Sequence, residues 1–311
     1  MTLKSLGRRH LAVGNGHAIY VRCYGRLTAP PVLYLHGGPG AGIQAADLAL
    51  IAQLDACVYL VDQRGCGRSR PLGGLAHNHL HGLLGDIEQL RTTLGIEQWC
   101  VFGGSFGATL ALCYASLYPQ RVSGCVVWGL FIPTPGCQWL YGPQGAAHLF
   151  PAQYQQFNPA GLELDCLLAD FATGLAGQEW PRLAQRWLDW EMQLAMPCAL
   201  VTEPPLSMEQ LALAKIQVHF AANGYFNSML MLDNLLRFWP TNLCMIQGEL
   251  DYVCPPATVK AWLAQRGEPR PRELIVVNGS YHAINSPPML EVISTAMTQA
   301  LSRLSSSPFA P

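Results

Sequence analysis

A serine flanked by glycines has the sequence surroundings that a nucleophile needs. The pentapeptide GGSFG at residues 103–107 places Ser105 between the apolar run 99–102 and the run 108–112, which is typical of a helix. A strand, a G-x-S-x-G turn and a helix in this order form a nucleophile elbow, in which the serine stands on a sharp turn and the glycines let strand and helix approach closely. The pattern predicts that Ser105 attacks a carbonyl carbon.

A serine nucleophile also needs a base and an orienting acid, in the chain order Ser, Asp, His for this kind of sheet. Asp251 follows the strand-like run 243–247, and His282 follows the strand-like run 274–277. Both residues are therefore expected on loops at the carboxyl ends of strands, where the catalytic groups of open α/β sheets gather. We predict a triad of Ser105, Asp251 and His282, with Glu249 as the alternative acid.

The negative charge that develops on the attacked carbonyl requires backbone N–H donors. One donor is the residue after the nucleophile, which is Phe106, and the second comes from an earlier strand-end loop. The run HGGPG at residues 36–40 directly follows a strand-like segment, and its glycines permit a close approach of backbone to substrate. We predict Gly38 as the second donor, with Gly37 as the alternative.

Two other groups of residues resemble sites but have plainer interpretations. His77, His79 and His81 alternate in a loop-like stretch, yet no cysteine or carboxylate that could complete a metal site lies close to them. Asp62 and Arg64 are predicted to stabilise a turn by an ion pair. We therefore predict no metal and no cofactor.

Composition limits the partners and the location of the protein. The chain has 311 residues, 19 Lys and Arg against 20 Asp and Glu, and 13% charged residues, so no basic surface for nucleic acid or anionic membrane is expected. The apolar runs are shorter than the ~20 residues that span a bilayer, and no secretion signal is visible. Eleven cysteines without a C-x-x-C pair indicate reduced thiols and a cytoplasmic location. A small-molecule or short-peptide substrate is expected; the oligomeric state is left open.

Short apolar strands alternate with helical segments over most of the chain, which predicts an α/β fold with a mostly parallel central sheet flanked by helices. Between about residues 133 and 239 the strands disappear, and helical segments rich in Leu, Ala, Gln and Trp take their place. We predict a core domain of residues 1–132 and 240–311 and an inserted helical cap of residues 133–239.

The motifs taken together resemble the proline iminopeptidases, which are α/β-hydrolase exopeptidases, and the resemblance extends over nearly the whole chain. The segments that carry it are 36–40, 62–69, 86–91, 103–112, 187–191 and 248–256, together with His282. The resemblance implies an α/β-hydrolase fold, the triad named above, acyl transfer through an acyl-enzyme, and cap residues that recognise the free N-terminus of the substrate.

Cap carboxylates hold the substrate amine in that family, because a desolvated ammonium group needs an anionic partner. Glu191 matches one of these positions. Trp187 lies four residues earlier on a predicted helix, so its ring and the Glu191 carboxylate are expected to share a face and form an amine-accepting wall. The chain has Gln217 where the family has a second carboxylate. It also has Trp128 where the family usually has arginine, and Phe106 where tryptophan is usual.

The sequence therefore predicts a serine aminopeptidase that releases an N-terminal residue, preferably proline. The alternative is an esterase, lactonase or amidase that has lost exopeptidase recognition through Gln217 and Trp128. A third possibility is a non-catalytic binding protein on a hydrolase scaffold. For either enzyme, activity should rise as His282 loses its proton, near its ordinary pKa of ~6.5.

Overall fold

The computed structural model describes residues 4–177, 180–197, 205–235, 242–265, 274–284 and 287–305, and an eight-stranded sheet runs through them. The strands are β1 (Ser5–Ala12), β2 (Ala18–Gly25), β3 (Pro31–Leu35), β4 (Cys57–Asp62), β5 (Trp99–Gly104), β6 (Val122–Trp128), β7 (Leu243–Gly248) and β8 (Leu274–Val277). Their order across the sheet is β1-β2-β4-β3-β5-β6-β7-β8. All neighbours from β4 to β8 are parallel, which confirms the predicted sheet.

The sheet reverses its strand order between β3 and β5. The strand that follows β3 in the chain lies on one side of it, and β5 lies on the other. A reversal of this kind opens a crevice at the carboxyl ends of the two strands, where open α/β sheets bind their ligands. The loop after β3 and the GGSFG turn after β5 both begin at this crevice.

Strand β1 was not predicted from the sequence. It pairs antiparallel with β2 at the edge of the sheet, and its side chains are mostly exposed. Its sequence SLGRRHLA contains two arginines and no apolar run. An exposed edge strand buries little apolar surface, and charged residues on such an edge discourage pairing with other chains, so hydrophobic patterning does not reveal it.

Helices cover both faces of the sheet. They are α1 (Ala45–Ile51), α2 (Leu80–Thr93), α3 (Phe106–Leu117), α4 (Pro133–Tyr141), α5 (Pro151–Phe157), α6 (Leu164–Gly174), α7 (Trp180–Ala195), α8 (Met208–Ala222), α9 (Ser228–Leu235), α10 (Pro256–Ala264) and α11 (Pro287–Ser305). Successive residues of the central strands point to opposite faces, so that Val101 and Phe102, for example, belong to two different apolar clusters. Both faces of the sheet are therefore buried, as parallel sheets require.

Helices α4 to α9 lie between β6 and β7 in the chain, within the segment predicted as a cap. Residues 178–179, 198–204 and 236–239 of that segment lie outside the described residues. Aromatic rings hold these helices together: Phe157 stacks on Trp190 with ring centroids 5.5 Å apart. The Trp139 indole donates to the carbonyl of Tyr252 at 2.8 Å, and this bond ties α4 to the loop after β7.

Helix α3 packs so closely on the sheet that Gly107 has no room for a side chain. A Cβ atom there would lie 2.2 Å from the carbonyl oxygen of Leu35 and 2.6 Å from that of His36. Backbone atoms cannot move aside as a flexible side chain can, so Gly107→Ala should lower the free energy of unfolding by about 3 kcal/mol. Denaturant unfolding followed by circular dichroism measures this loss.

The matched control is Gly85→Ala in α2, where a Cβ would meet no atom within 4 Å. This variant should be more stable by about 0.5–1 kcal/mol, because alanine is the better helix former. A Gly107→Ala protein as stable as the wild type would refute the tight packing of α3.

Candidate active site

Ser105 lies on a strained turn between β5 and α3. Its φ of 57° and ψ of −126° fall in a region that residues with a side chain rarely adopt. The turn is held by its neighbours: the Ser105 N–H donates to the carbonyl of Trp128 at 2.9 Å, and the Ser105 carbonyl accepts from the N–H of Ala108 at 2.9 Å. The backbone conformation is that of a nucleophile elbow.

Two of the predicted oxyanion donors lie beside this serine. Phe106 is the first residue of α3, so its N–H has no carbonyl partner within the helix. The loop after β3 passes so close that a Cβ on Gly37 would lie 2.9 Å from the Cβ of Ser105 and 3.6 Å from its Oγ. Gly37 and Gly38 line the same cavity as Ser105. Both glycines therefore stay candidates for the second oxyanion donor.

His36 fixes the loop that carries these glycines. Its Nδ1 lies 2.8 Å from the carbonyl oxygen of Gly37, and its Nε2 lies 3.0 Å from the backbone N–H of Gln63. The Gln63 side chain in turn donates to the carbonyl of His36 at 2.8 Å. Burial lowers the pKa of His36, which favours the neutral imidazole. Its hydrogen bonds make this imidazole a structural link between two loops.

Asp251 and His282 are in contact at the carboxyl ends of β7 and β8. The Asp251 Oδ2 lies 2.8 Å from His282 Nδ1, and Oδ1 accepts from the backbone N–H groups of Val253 and Cys254 at 3.0 and 2.7 Å. Because a carboxylate can only accept, Nδ1 carries the imidazole proton and Nε2 is left as the basic nitrogen. The alternative acid, Glu249, is exposed and accepts instead from the N–H of Gly279.

Gln247 supports Asp251 and was not predicted from the sequence. This fully buried side chain accepts from the N–H of Leu130 at 3.0 Å, and its amide nitrogen donates to Asp251 Oδ2 at 3.3 Å and to the carbonyl of Cys254. It thereby joins the ends of β6 and β7 to the acid. The available signal was a polar residue at the end of an apolar strand, which does not by itself identify a partner.

Asp251 also changes the proton affinity of His282. Burial opposes protonation of the imidazole, but the negative charge and hydrogen bond of Asp251, with a further contribution from the charge of Glu191, outweigh it and raise the pKa of His282. The sequence predicted titration near the ordinary value of ~6.5. The structure moves the expected midpoint above that value.

Glu191 enters the same cavity from the cap. The cavity has a volume of about 400 Å³ and is lined by Ser105, His282, Glu191 and Gln217, among others. The Glu191 Oε1 accepts from the hydroxyl of Tyr141 at 2.5 Å, and Oε2 accepts from the amide nitrogen of Gln217 at 3.2 Å. Burial raises the pKa of Glu191, and the Tyr141 bond, His282 and the Gln217 bond oppose that rise.

Trp187 differs from its expected role. Trp187 is fully buried and its ring is not part of the cavity lining, so the predicted aromatic wall is wrong in this respect. The Trp187 indole instead donates to Gln217 Oε1 at 3.0 Å. An indole N–H is only a donor, which fixes the Gln217 oxygen towards Trp187 and its nitrogen towards Glu191. Other aromatic residues line the cavity instead: Tyr34, Trp128, Phe131, Tyr141 and Tyr225.

The other sequence candidates do not come together as sites. His79 Nδ1 accepts from the N–H of Gly82 and caps α2. The predicted ion pair of Asp62 with Arg64 is wrong, because Arg64 pairs with Asp86 at 2.6 Å and Asp62 lies 3.8 Å from Arg22 instead. Backbone N–H groups satisfy the Asp62 carboxylate. The Asp86 carboxylate satisfies the Arg64 guanidinium, so Asp62 and Arg64 do not pair with each other.

Potential metal ligands cluster at one point in the described part of the chain. Asp251, Cys254 and His282 offer ligand atoms within 4.8 Å of one another. Asp251 and His282 already bond to each other, and burial raises the pKa of the Cys254 thiol. A thiol that resists deprotonation is a poor ligand, so this cluster is best explained as an acid and base pair with a buried neighbour.

The ten cysteines among the described residues are free thiols. Over the same residues, no helix combines the length and apolar character needed to cross a membrane.

The sheet topology, the strained serine and the strand-end acid and base define an α/β hydrolase. Residues 30–286 match the family described as alpha/beta hydrolase fold. Among solved structures, a haloalkane dehalogenase from Bradyrhizobium elkani is similar at a TM-score of 0.62 and 18% identity, covering 96% of this chain and 98% of that one. A proline iminopeptidase from Mycobacterium smegmatis is similar at a TM-score of 0.59 and 19% identity. The match covers 96% of this chain and 100% of that one. These likenesses confirm the fold.

Curated relatives narrow the family further. The chain is 34% identical to a proline iminopeptidase of Neisseria meningitidis serogroup B over 309 residues, which cover 95% of this chain and 96% of the relative. It is 32% identical to a proline iminopeptidase of Arabidopsis thaliana over 295 residues, which cover 89% of this chain and 75% of the relative. The chain therefore belongs to the proline iminopeptidase family of α/β hydrolases.

The His282 environment generates a titration prediction. Asp251→Asn removes the negative charge that stabilises the protonated imidazole, while the burial of His282 remains. The pKa of His282 should therefore fall from above to below ~6.5. Glu191→Gln should lower this pKa by a smaller amount, because Glu191 acts through its charge alone.

NMR titration of isotope-labelled histidine measures these shifts, with His282→Gln to assign the resonance. An unchanged His282 pKa in Asp251→Asn would contradict the assigned cause of the shift.

Proposed function

We propose that this protein is a serine aminopeptidase that releases an N-terminal residue, preferably proline, from peptides or aminoacyl amides. The observation that carries the proposal is the half-buried carboxylate of Glu191 in the cavity that also contains Ser105 and His282. Within the described residues, Glu191 belongs to no ion pair with a lysine, arginine or histidine. A carboxylate in such a place gains most from a cationic ligand, and the free N-terminus of a peptide supplies one.

The chemical steps use groups that lie around Ser105. Ser105 Oγ attacks the carbonyl carbon of the N-terminal residue, and His282 Nε2 accepts the hydroxyl proton. The N–H groups of Phe106 and Gly38 stabilise the oxyanion. The C–N bond then breaks, and His282 returns the proton to the leaving amine. Water attacks the acyl-enzyme with His282 as base, and the free amino acid leaves as Ser105 regains its proton.

Preference for proline fits the cap side of the cavity. Leu140, Phe131 and Tyr225 give this side an apolar surface that a pyrrolidine ring can contact. The secondary ammonium group of an N-terminal proline has two N–H donors, and Glu191 can accept from it. Because the Gln217 oxygen is turned to Trp187, amine recognition on this side depends on Glu191, and Gln217 holds that carboxylate in place.

The free thiols described above support action in a reducing cytoplasm. We propose a small-molecule or short-peptide substrate and no cofactor.

A second candidate is an esterase, lactonase or amidase with the same triad. The supporting observation is that Gln217 is an amide, so this position offers an amine no second carboxylate. Hydrolysis of uncharged esters together with no release of proline from prolyl amides would favour this candidate. Labelling of Ser105 by a fluorophosphonate supports either enzyme against a non-catalytic binding protein.

Glu191→Gln tests amine recognition. The glutamine keeps the shape and can still bond to Tyr141 and Gln217, but it loses the charge. We expect kcat/KM for a prolyl amide to fall about 10–100-fold, the size of a lost charge-assisted hydrogen bond. Cleavage of the corresponding N-acetylprolyl amide, which has no ammonium group, should be slow and nearly unchanged.

The matched control is Asp189→Asn, which removes the same charge from the same helix but outside this cavity. It should cleave both substrates as the wild type does. Equal wild-type rates on the free and acetylated substrates would overturn the amine-recognition claim.

A further inference from the structure

A second carboxylate, Asp47, lines the cavity that holds Ser105. It belongs to α1, which begins just after the glycine loop, and only 8% of its surface is exposed. Its Oδ1 accepts from the hydroxyl of Tyr34 at 2.5 Å, and its Oδ2 accepts from the backbone N–H of Gln44 at 2.7 Å. None of the ion pairs among the described residues includes Asp47.

A chain of contacts through Tyr34 and Trp128 connects Asp47 to Ser105. Asp47 bonds to Tyr34, whose ring centroid lies 5.9 Å from that of Trp128. The Trp128 ring packs on Gly104, where a Cβ would lie 2.3 Å from its indole nitrogen, and the Trp128 carbonyl accepts the N–H of Ser105. Tyr34 and Trp128 belong to one apolar cluster of the sheet.

Glu191 lies next to a different apolar cluster. Its partner Tyr141, together with Phe131 and Leu140, belongs to the other apolar cluster, to which the cap contributes. By cluster, the cavity lining thus divides into two halves, each with a carboxylate to which a tyrosine hydroxyl donates at 2.5 Å; Asp47 is buried and Glu191 is half-buried. A substrate whose amine binds Glu191 and whose carbonyl lies at Ser105 must extend its leaving group into the remaining half.

We propose that Asp47, Tyr34 and Trp128 form a subsite for a basic side chain on the second residue of the substrate. The inference rests on the proposed function and names its substrate class: peptides with an N-terminal residue, preferably proline, followed by arginine or lysine. The carboxylate pairs with the cation, and the two aromatic rings contact its stem and its charged group.

Asp47 also has a structural role, because it forms the capping box of α1 with Gln44. Capping requires only an acceptor for an N–H group, and a neutral side chain can supply one. The charge itself is costly in a buried position, and none of the ion pairs among the described residues includes it. Burial raises the pKa of Asp47, and the Tyr34 and Gln44 bonds oppose that rise, with further contributions from His36 and the Arg22 charge. A bound guanidinium group would oppose it further.

The test compares Pro-Arg-amide with Pro-citrulline-amide, because citrulline has nearly the shape of arginine without its charge. We expect the wild type to cleave the arginine substrate with a kcat/KM about tenfold higher or more. In Asp47→Asn this ratio should fall close to one, with cleavage of the citrulline substrate nearly unchanged. The substituted asparagine can still accept from Gln44 and bond to the Tyr34 hydroxyl, so the cap is kept.

Asp55→Asn is the matched control, since it removes the same charge from a carboxylate that is 78% exposed on the surface. It should leave the ratio at its wild-type value. A wild-type ratio near one, or an Asp47→Asn variant that loses activity equally on both peptides, overturns the subsite.

A binding measurement separates this inference from the proposed function. Calorimetric titration of Ser105→Ala with the two dipeptide amides requires no catalysis. Tighter binding of Pro-Arg-amide that depends on Asp47 supports the subsite, even if neither peptide is cleaved and the aminopeptidase proposal fails. Equal binding of the two peptides overturns the subsite, even if both are cleaved by the wild type.

Discussion

Direct backbone contact between β5, α3 and the loop after β3 determines the geometry of the site. A Cβ on Gly103 would lie 2.4 Å from the carbonyl oxygen of Gly107, and one on Gly107 would lie 2.2 Å from that of Leu35. With no side chains between them, strand, helix and loop meet at a single point. The chain can turn there only through the positive φ of Ser105, which directs that residue into the crevice where the strand order reverses.

The rest of the site follows from this fixed point. Because the serine cannot move, its partners must reach it from neighbouring strand ends, and each is held by bonds from a different element. Gln247 ties Asp251 to the end of β6, and Asp251 fixes the tautomer of His282. His36 ties the glycine loop after β3 to the turn after β4. Most of these bonds are buried, so they hold the groups in place before substrate arrives.

The sequence identified the parts of the site that depend on local patterns. Ser105, Asp251 and His282 each follow an apolar strand, and strand ends of a parallel sheet meet at one edge, so their proximity could be predicted. The bond from Trp187 to Gln217 could not be, because helical spacing shows that Trp187 and Glu191 share a face but not which residue of α8 faces them. Asp47 lies on a seven-residue helix, where one carboxylate is typical of a surface residue or a cap. Its place in the cavity depends on the packing of Tyr34 against Trp128.

The charge balance of the cavity connects recognition to catalysis. Asp251 and Glu191 both favour the protonated form of His282, although a general base must be neutral to act. On the proposed function, the substrate ammonium group neutralises Glu191 and itself repels a proton on His282, so both effects lower the pKa of the imidazole in the complex. Asp251 remains and stabilises the imidazolium that forms during attack. The base is thus more readily available when a cationic substrate is bound, which links the free N-terminus to the protonation state that the reaction requires.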